Sequence, residues 1–460
     1  MSEYDVIVLG GGPGGYLAAE RLGHAGRKVL LVEKEKLGGV CLNVGCIPTK
    51  TLLNSAKQYV HAKEAAKFGV NATGLSFDWG VMQSWKTEVV DKLVGAIALT
   101  EKKLGVEVVQ AEGRFLGPGR VEVRGVAHQA AAVILATGSS PVMPPIPGAR
   151  DNPKVVDSTG LLSAPAVPER LCVIGGGVIG IEFAGLFAAL GSKVEIVEMM
   201  DEIVPFMDKE QAPLLRRAMK DVAFRLGCKV ERIEGGKVVY RTKEGTEASP
   251  FDGAEADLVL MAVGRRPNLE NWGAKESGLD FGPKGVTVDD RMRTNLSGVW
   301  AVGDLTGRSL LAHSAYRMAE VAVADILAAS GAAEPEAGNR MRYDAIPWVV
   351  YGMPEAAGVG LTEEEAKRRG IEIKKASLPL RVSGRFAAEN GFAAPGSVKV
   401  IAEAASGRIL GIHVLGAYAS EIIWGGAALI EQELRVVDVQ QLVFPHPTVS
   451  EAIREAVWAL

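Results

Sequence analysis

The sequence predicts an α/β protein built on a β–α–β unit that occurs twice, followed by a segment of α+β character. Three observations predict it. Short apolar, β-branched runs at Val6–Leu9 and Leu171–Ile174 each lead into a glycine-rich junction. The junctions Gly10-Gly11-Gly12-Pro13-Gly14-Gly15 and Gly175-Gly176-Gly177-Val178-Ile179-Gly180 are in register, Gly175 standing 165 positions after Gly10. Glycine is also abundant, at 55 of 460 residues, and clusters where a strand gives way to a helix.

Length and composition bound the rest. A chain of 460 residues exceeds one hydrophobic core and is expected to divide into about three domains. Hydrophobic residues at 48% and charged ones at 23% are those of a globular protein in water. A net charge of -4 offers no basic footprint for nucleic acid. No run reaches the roughly 18 apolar residues of a membrane span, and Met1–Gly10 lacks the basic start of an export signal. A cytoplasmic protein is expected.

The repeated unit carries a specific chemistry. The first glycine of each junction, Gly10 or Gly175, permits a tight turn. The second, Gly12 or Gly177, lets the backbone approach a pyrophosphate at a helix N-terminus, where free N–H groups and the helix dipole favour negative charge. The third, Gly15 or Gly180, allows helix and strand to pack closely. Glu33 and Glu198 each end the second strand, where a carboxylate can accept hydrogen bonds from an adenosine ribose. For Glu198 the alternative is an ordinary surface strand end. A carboxylate repels the additional phosphate of NADP, and Met199-Met200-Asp201-Glu202 contains no arginine to receive it, so the second unit predicts NAD. Two further strand patterns end in glycine, at Gly138 and Gly264, as expected where a last strand meets a ligand cleft. A third, Val299–Asp304, ends in an acid. Asp304 reads equally as an acceptor for a flavin's ribityl hydroxyl and as a turn aspartate.

Just after the first unit stand Cys41 and Cys46, within Gly38–Lys50. Their position, where a flavin's reactive ring is expected, reads as a redox couple. Residues five apart on an ideal helix are separated by about 7.5 Å along the axis, beyond disulfide reach. Gly45 and Pro48 therefore predict a distorted turn that brings the sulfurs together, and a helix N-terminus there lowers a thiol's pKa. The alternatives are a structural disulfide, a zinc site, for which Cys172 and Cys228 make poor partners, and two inert thiols. Thiol–disulfide exchange also needs a proton acceptor near neutrality. Of six histidines, His446 stands out between Pro445 and Pro447. Glu451 either orients its ring or, through Thr448-x-x-Glu451, caps the last helix.

These motifs together resemble group I of the flavin-dependent pyridine nucleotide–disulfide oxidoreductases. The likeness runs through both glycine junctions, Gly38–Lys50, Ala136-Thr137-Gly138, Gly264-Arg265-Arg266-Pro267-Asn268, Val302-Gly303-Asp304, Leu311-Ala312-His313 and His446-Pro447-Thr448. Leu42 and Ile47-Pro48 look like the lipoamide branch rather than glutathione reductase. The resemblance implies FAD and NAD as cofactors, two Rossmann-like domains, a central domain and a C-terminal domain that makes a homodimer. It implies that Cys41 exchanges with substrate and Cys46 contacts the flavin. Lys50 is placed near the flavin and paired with Glu182. His446, oriented by Glu451, is the acid/base, contributed by the other subunit, and its bond to Pro447 is a candidate cis peptide. Gly113, Thr137, Gly138 and Ala312 are implied on the FAD side, and Gly264 on the NAD side. The reaction implied is oxidation of dihydrolipoamide on lipoyl domains with reduction of NAD, beside the acyltransferase core of a 2-oxo acid dehydrogenase complex. Another NAD(P)H-dependent disulfide reductase and a chiefly structural subunit are the alternatives. Phe444-Pro445 departs from the small residue and histidine or alanine usual before this His-Pro. No terminal cysteine pair is seen, unlike mercuric reductase and large thioredoxin reductases.

Proline and small-residue stretches divide the chain. Pro144–Gly148 and Pro267-Asn268 read as hinges, and Ala328–Pro335 as a linker. The expected domains are 1–147 for FAD, 148–267 for NAD, 268–337 as the central part and 338–460 as the interface domain. Within the last, Thr362-x-x-Glu365 predicts a capped helix, and 398–401 with 409–414 predicts a hairpin. The apolar spacing over 421–434 suits an interface helix or ordinary core packing alike.

Overall fold

Tyr4–Leu9 and Val29–Glu33 are buried at almost every position, the signature of strands covered on both faces. In the computed structural model, which describes residues 3–332 and 338–460, they form the centre of a parallel sheet. Its order is Glu107–Gln110, Val29–Glu33, Tyr4–Leu9, Val126–Leu135 and Val299–Ala301. The first half of Val126–Leu135 continues into an antiparallel ribbon with Arg120–Val123 and Gly113–Gly117. These elements belong to one of two compact units, comprising Met1–Leu52, Gly80–Val142 and Gly264–Met341. The helices Pro13–His24 and Ala312–Ala329 pack on each other in this unit. The linker expected around 328–335 begins inside the second of these helices, and its residues 333–335 lie outside the described residues.

The other unit, Leu53–Trp79, Met143–Val263 and Arg342–Leu460, holds two five-stranded sheets and a small antiparallel one, Lys229–Glu234, Lys237–Arg241 and Glu247–Ala248. One repeats the parallel design in the order Val222–Leu226, Lys193–Glu198, Arg170–Ile174, Leu258–Met261 and Val155–Val156. Its helix Val178–Ala189 matches Pro13–His24 residue for residue at the spacing of the repeat. The second is a five-stranded antiparallel sheet in the order Trp348–Val350, Ala356–Gly360, Ile409–Leu415, Ser397–Glu403 and Ile373–Pro379. The predicted hairpin is its centre. The helix Glu363–Arg368 starts at the predicted capping box, with Thr362 and Glu365 bonding reciprocally. In Ala419–Glu431, Ile423, Leu429 and Ile430 face the sheet core, while Trp424 on the other side is 72% exposed. Core packing and an outward apolar residue therefore coexist on one helix. Among the described residues, no helix is long and apolar enough to cross a membrane.

Buried charge ties this second unit together. Lys399, 1% exposed on the antiparallel sheet, donates from Nζ to both carboxylate oxygens of Asp208 at 3.1 and 2.9 Å, and is also paired with Glu210 and Glu363. Next to Asp208, Gln211 donates from Nε2 to the carbonyl of His413. His413 is fully buried, and burial pulls its pKa down, so the ring is held neutral. Removing one partner of a buried ion pair strands the other charge at a cost of about 3–5 kcal/mol. Lys399→Met is expected to lower unfolding stability by about that amount in urea titrations.

The first unit carries the opposite case. Glu101, 1% exposed in the helix Trp79–Lys103, has both carboxylate oxygens buried without a hydrogen-bond partner among the described residues. Burial, with the nearby charge of Glu20, pushes its pKa up to about 8. The unfolded chain releases this proton near the ordinary value of 4.5, whereas the fold keeps it until about pH 8. The stability of the fold therefore falls as pH rises through that window. Glu101→Gln is expected to gain on the wild type by on the order of 3 kcal/mol between pH 5 and pH 8.5 in paired urea titrations. A pH-independent difference between the two would contradict the assignment.

Candidate active site

The two glycine junctions adopt the same conformation. Gly10 and Gly175 both have φ +108°, a left-handed value that favours glycine, and a Cβ on either would strike the carbonyl of Ala136 or Ala262. A Cβ on Gly15 would run into Gly10 O, and one on Gly180 into Gly175 O. The middle glycines differ in kind. A Cβ on Gly177 would meet nothing within 4 Å, and one on Gly12 only Gly39 Cα at 3.9 Å. The space beside them is what a pyrophosphate needs to approach the helix N-terminus. A dinucleotide fits both junctions on this ground.

Glu33 and Glu198 end their strands, as the sequence predicts, but both carboxylates also serve the backbone. Glu33 Oε2 accepts from Gly11 N at 2.6 Å and Oε1 from Glu35 N at 2.7 Å. Glu198 repeats the pattern with Gly176 N at 2.5 Å and Met200 N at 2.7 Å. Each is 9% exposed. Glu198 is therefore not an ordinary surface strand end.

The cysteines lie on either side of a break between two helices, Gly39–Val44 and Cys46–Glu64. Gly45 between them has φ -141° and ψ -111°, and a Cβ there would lie 2.8 Å from Val40 O. The expected distortion falls between the cysteines rather than within one helical turn. Neither cysteine is joined in a disulfide in this structure, and both are partly exposed. The Cys41 thiol is pushed well up, first by its hydrogen bond to Cys46 and then by burial, with the Lys50 charge opposing. Contact with the second sulfur and burial thus oppose the lowering expected from a helix N-terminus at Cys41, while the Lys50 charge and the Cys46 backbone N–H favour the thiolate.

Other predicted positions gather around the same unit. Gly113 faces Leu9 and Val32, leaving no room for a side chain, since a Cβ would meet Leu9 Cδ1 at 2.5 Å. Thr137 and Gly138 are laced to Asn268. Asn268 Nδ2 donates to Thr137 O at 2.8 Å, and Asn268 N donates to Gly138 O at 2.9 Å. Asp304 lies in the turn Gly303–Thr306, and its Oδ2 accepts from the Ser139 hydroxyl at 2.5 Å. Ser139 Oγ in turn accepts from Arg265 Nε at 2.8 Å. Burial raises the Asp304 pKa, and the Ser139 hydrogen bond opposes it. Ala312 is the first residue of its helix, so its N–H has no intrahelical acceptor. Ser139 supports the predicted residues from just after its motif, where nothing in the spacing marked it, and Arg265 and Asn268 belong to the Gly264–Asn268 stretch, for which the sequence assigned them no contact. In the second unit Gly264's counterpart strand ends at Met261, and Glu182, 4% exposed, accepts from Tyr351 N at 3.0 Å. Gly264 itself, at φ +124° with open space where a Cβ would project, is grouped with the first unit.

His446 and Glu451 come together in the second unit. His446 Nδ1 bonds Glu451 Oε1 at 2.9 Å, and Thr448 N donates to Glu451 Oε2 at 2.9 Å. One carboxylate thus does both things left open by the sequence. It holds the imidazole, and it supplies half of a capping arrangement, while Thr448 Oγ1 bonds Pro445 O instead of closing the box. The His446-Pro447 peptide is cis. Glu451's pKa is lowered, first by the Thr448 N–H and then by His446. A proton on Nδ1 shared with this carboxylate leaves Nε2 as the free basic nitrogen. The His446 side chain is 78% exposed.

The glycine geometry separates binding from folding. Gly177→Ala fits its open space and an ordinary φ of -74°, so the melting temperature is expected to stay within about 2 °C while the KM for NAD rises tenfold or more. Gly180→Ala, forced against Gly175 O, is expected to lose the fold of that sheet by circular dichroism.

Comparison with known proteins accords with this arrangement. The family model for pyridine nucleotide-disulphide oxidoreductases matches residues 4–319, and the model for the dimerisation domain of that family matches 346–457. A dihydrolipoyl dehydrogenase of Thermus scotoductus is 40% identical over 468 residues, covering 100% of this chain and 98% of that protein. Among solved structures, LpdA from Mycobacterium tuberculosis has a TM-score of 0.87 at 25% identity, with 99% of each chain covered. The HOCl-induced flavoprotein disulfide reductase RclA from Escherichia coli has a TM-score of 0.84 at 28% identity, again with 99% of each covered. FAD and NAD are the cofactors of the enzyme, and the C-terminal sheet lies in a dimerisation domain. The dithiol, the paired dinucleotide junctions and these full-length matches agree: the chain belongs to the pyridine nucleotide–disulphide oxidoreductases.

Proposed function

We propose that the chain oxidises dihydrolipoamide, carried on lipoyl domains, and reduces NAD, as a cytoplasmic homodimer that joins the acyltransferase core of a 2-oxo acid dehydrogenase complex. The observation that carries the reading is the thiol pair across Gly45, set directly after a dinucleotide junction. In the oxidised enzyme Cys41 and Cys46 form a disulfide. The partner subunit's His446 takes a proton at Nε2 from one substrate thiol, and the resulting thiolate attacks Cys41. Cys46 leaves as a thiolate. The imidazole passes that proton to solvent and takes the one on the second substrate thiol, whose sulfur attacks the substrate sulfur bound to Cys41 and closes the substrate disulfide as Cys41 leaves with the bonding pair. The substrate has lost two electrons and the cysteine pair has gained them. FAD, when bound, carries that electron pair onward to NAD.

The chain's own residues set the polarity of this sequence. Two sulfurs in contact disfavour charge on both at once, so the reduced pair carries a single negative charge between them. Glu451 fixes the imidazole tautomer with Nε2 free. Lys50, with Glu182 as its assigned partner, supplies positive charge on the flavin side. Gly10, Gly12, Gly15, Glu33, Gly113, Thr137, Gly138, Asp304 and Ala312 would hold FAD, and Gly175, Gly177, Gly180, Glu198 and Gly264 would hold NAD. The buried Glu198 carboxylate presents like charge to a 2′-phosphate, which favours NAD over NADP.

Similarity to RclA supports a second reading, reduction of another disulfide at the expense of NAD(P)H. Steady-state assays separate the two, because the proposed reaction requires NAD reduction by dihydrolipoamide to outpace reduction of other disulfides by NAD(P)H. Cys46→Ser is expected to abolish lipoamide turnover while the dimer persists in size-exclusion chromatography. His446→Gln is expected to slow turnover by about 10²–10⁴-fold. A His446→Gln rate near that of the wild type would remove the acid/base assignment.

A further inference from the structure

Tyr16 and Tyr316 take no part in the chemistry above, yet the first unit places them against it. A Cβ on Gly39 would lie 2.6 Å from Gly12 Cα, so the helix Gly39–Val44 starts against the start of Pro13–His24. Cys41 is the third residue of the former and Tyr16 the fourth of the latter. The helix Ala312–Ala329 arrives at the same point, since a Cβ on Gly14 would meet Ala315 O at 3.5 Å. Tyr316 follows Ala315. The two phenol oxygens are 2.5 Å apart and the rings meet edge to face, with centroids 6.0 Å apart. Tyr16 is 8% exposed and Tyr316 partly buried.

Two hydroxyls that share one hydrogen bond hold two hydrogens between them, so one remains to be donated elsewhere. Negative charge on Cys41 raises the pKa of both phenols, though burial is the larger cause in each. The sulfur and the hydroxyl pair thus lie within each other's field. A hydrogen bond donated to a charged acceptor is among the stronger ones in a protein.

We propose that the Tyr16–Tyr316 hydroxyl pair is a positioning element for Cys41, delivering its second hydrogen to that sulfur whenever the sulfur becomes negative. The proposal deepens the reading above and rests on Cys41 being the exchange sulfur. It acts where the substrate's second thiolate closes the substrate disulfide, the bond from substrate sulfur to Cys41 breaks, and Cys41 takes the bonding pair. A leaving thiolate of lower basicity departs faster, and a donated hydrogen lowers that basicity.

The test uses reduced holoenzyme and iodoacetamide, with the alkylated cysteine identified by peptide mass and the rate followed from pH 6 to pH 9. Tyr316→Phe keeps the ring and removes only the hydroxyl. Its Cys41 alkylation profile is expected to move to higher pH by about one unit, so that Cys41 reacts about tenfold more slowly at pH 7. Tyr16→Phe is expected to move it in the same direction, and carries the test alone if Tyr316→Phe loses its flavin. A wild-type profile in both variants, with Cys41 still the residue alkylated, would overturn the proposal and leave the reaction assignment standing. Preferential alkylation of Cys46 in the wild type would instead overturn the assignment of Cys41 as exchange sulfur, and the proposal with it.

Discussion

A carboxylate at the end of a strand, closed onto the backbone of a glycine turn, is the contact on which both nucleotide units depend. Glu33 and Glu198 each reach back to the N–H of the second junction residue, Gly11 or Gly176. Hydrogen bonds to a charged acceptor are stronger than neutral ones, and these are nearly out of water. They pin a turn whose glycines have wide backbone freedom, so the following helix begins in one place and one direction. The first of these helices sets the position of everything built against it, including the short helix that carries Cys41.

Much of this was legible because it is local. The repeat shows in glycines whose spacing is dictated by hard contacts, Gly10 with Ala136 O and Gly15 with Gly10 O. The capping box at Thr362 and the hairpin at 398–414 are likewise set within a few residues by hydrogen-bonding capacity and alternation. What stayed hidden is non-local. Ser139, Arg265 and Asp304 meet only because separate segments of the first unit converge, and no spacing along the chain announces it. Tyr16 and Tyr316 are 300 residues apart. Glu451 shows a subtler failure, since its two readings looked exclusive in sequence although a carboxylate has two oxygens and can serve both.

The thiol pair teaches a related lesson about electrostatics. A helix N-terminus favours a thiolate, and reading that rule alone places low pKa values throughout Gly38–Lys50. Two sulfurs in hydrogen-bond contact share one field, however, and charge on one disfavours charge on the other. The structure breaks the symmetry by giving Cys46 the start of a long helix and leaving Cys41 inside a short one.

The near-identity of the two junctions has a consequence for how such a protein diversifies. Both turns share a φ of +108° at the leading glycine, the same carboxylate clasp and helices of equal length, so neither turn can tell a flavin coenzyme from a nicotinamide one. Discrimination has to reside downstream, where one copy continues into cysteine-bearing helices and the other into the exposed pair Met199 and Met200. Drift in coenzyme preference is therefore expected to accumulate in those following segments, while the duplicated turns stay frozen as a common socket.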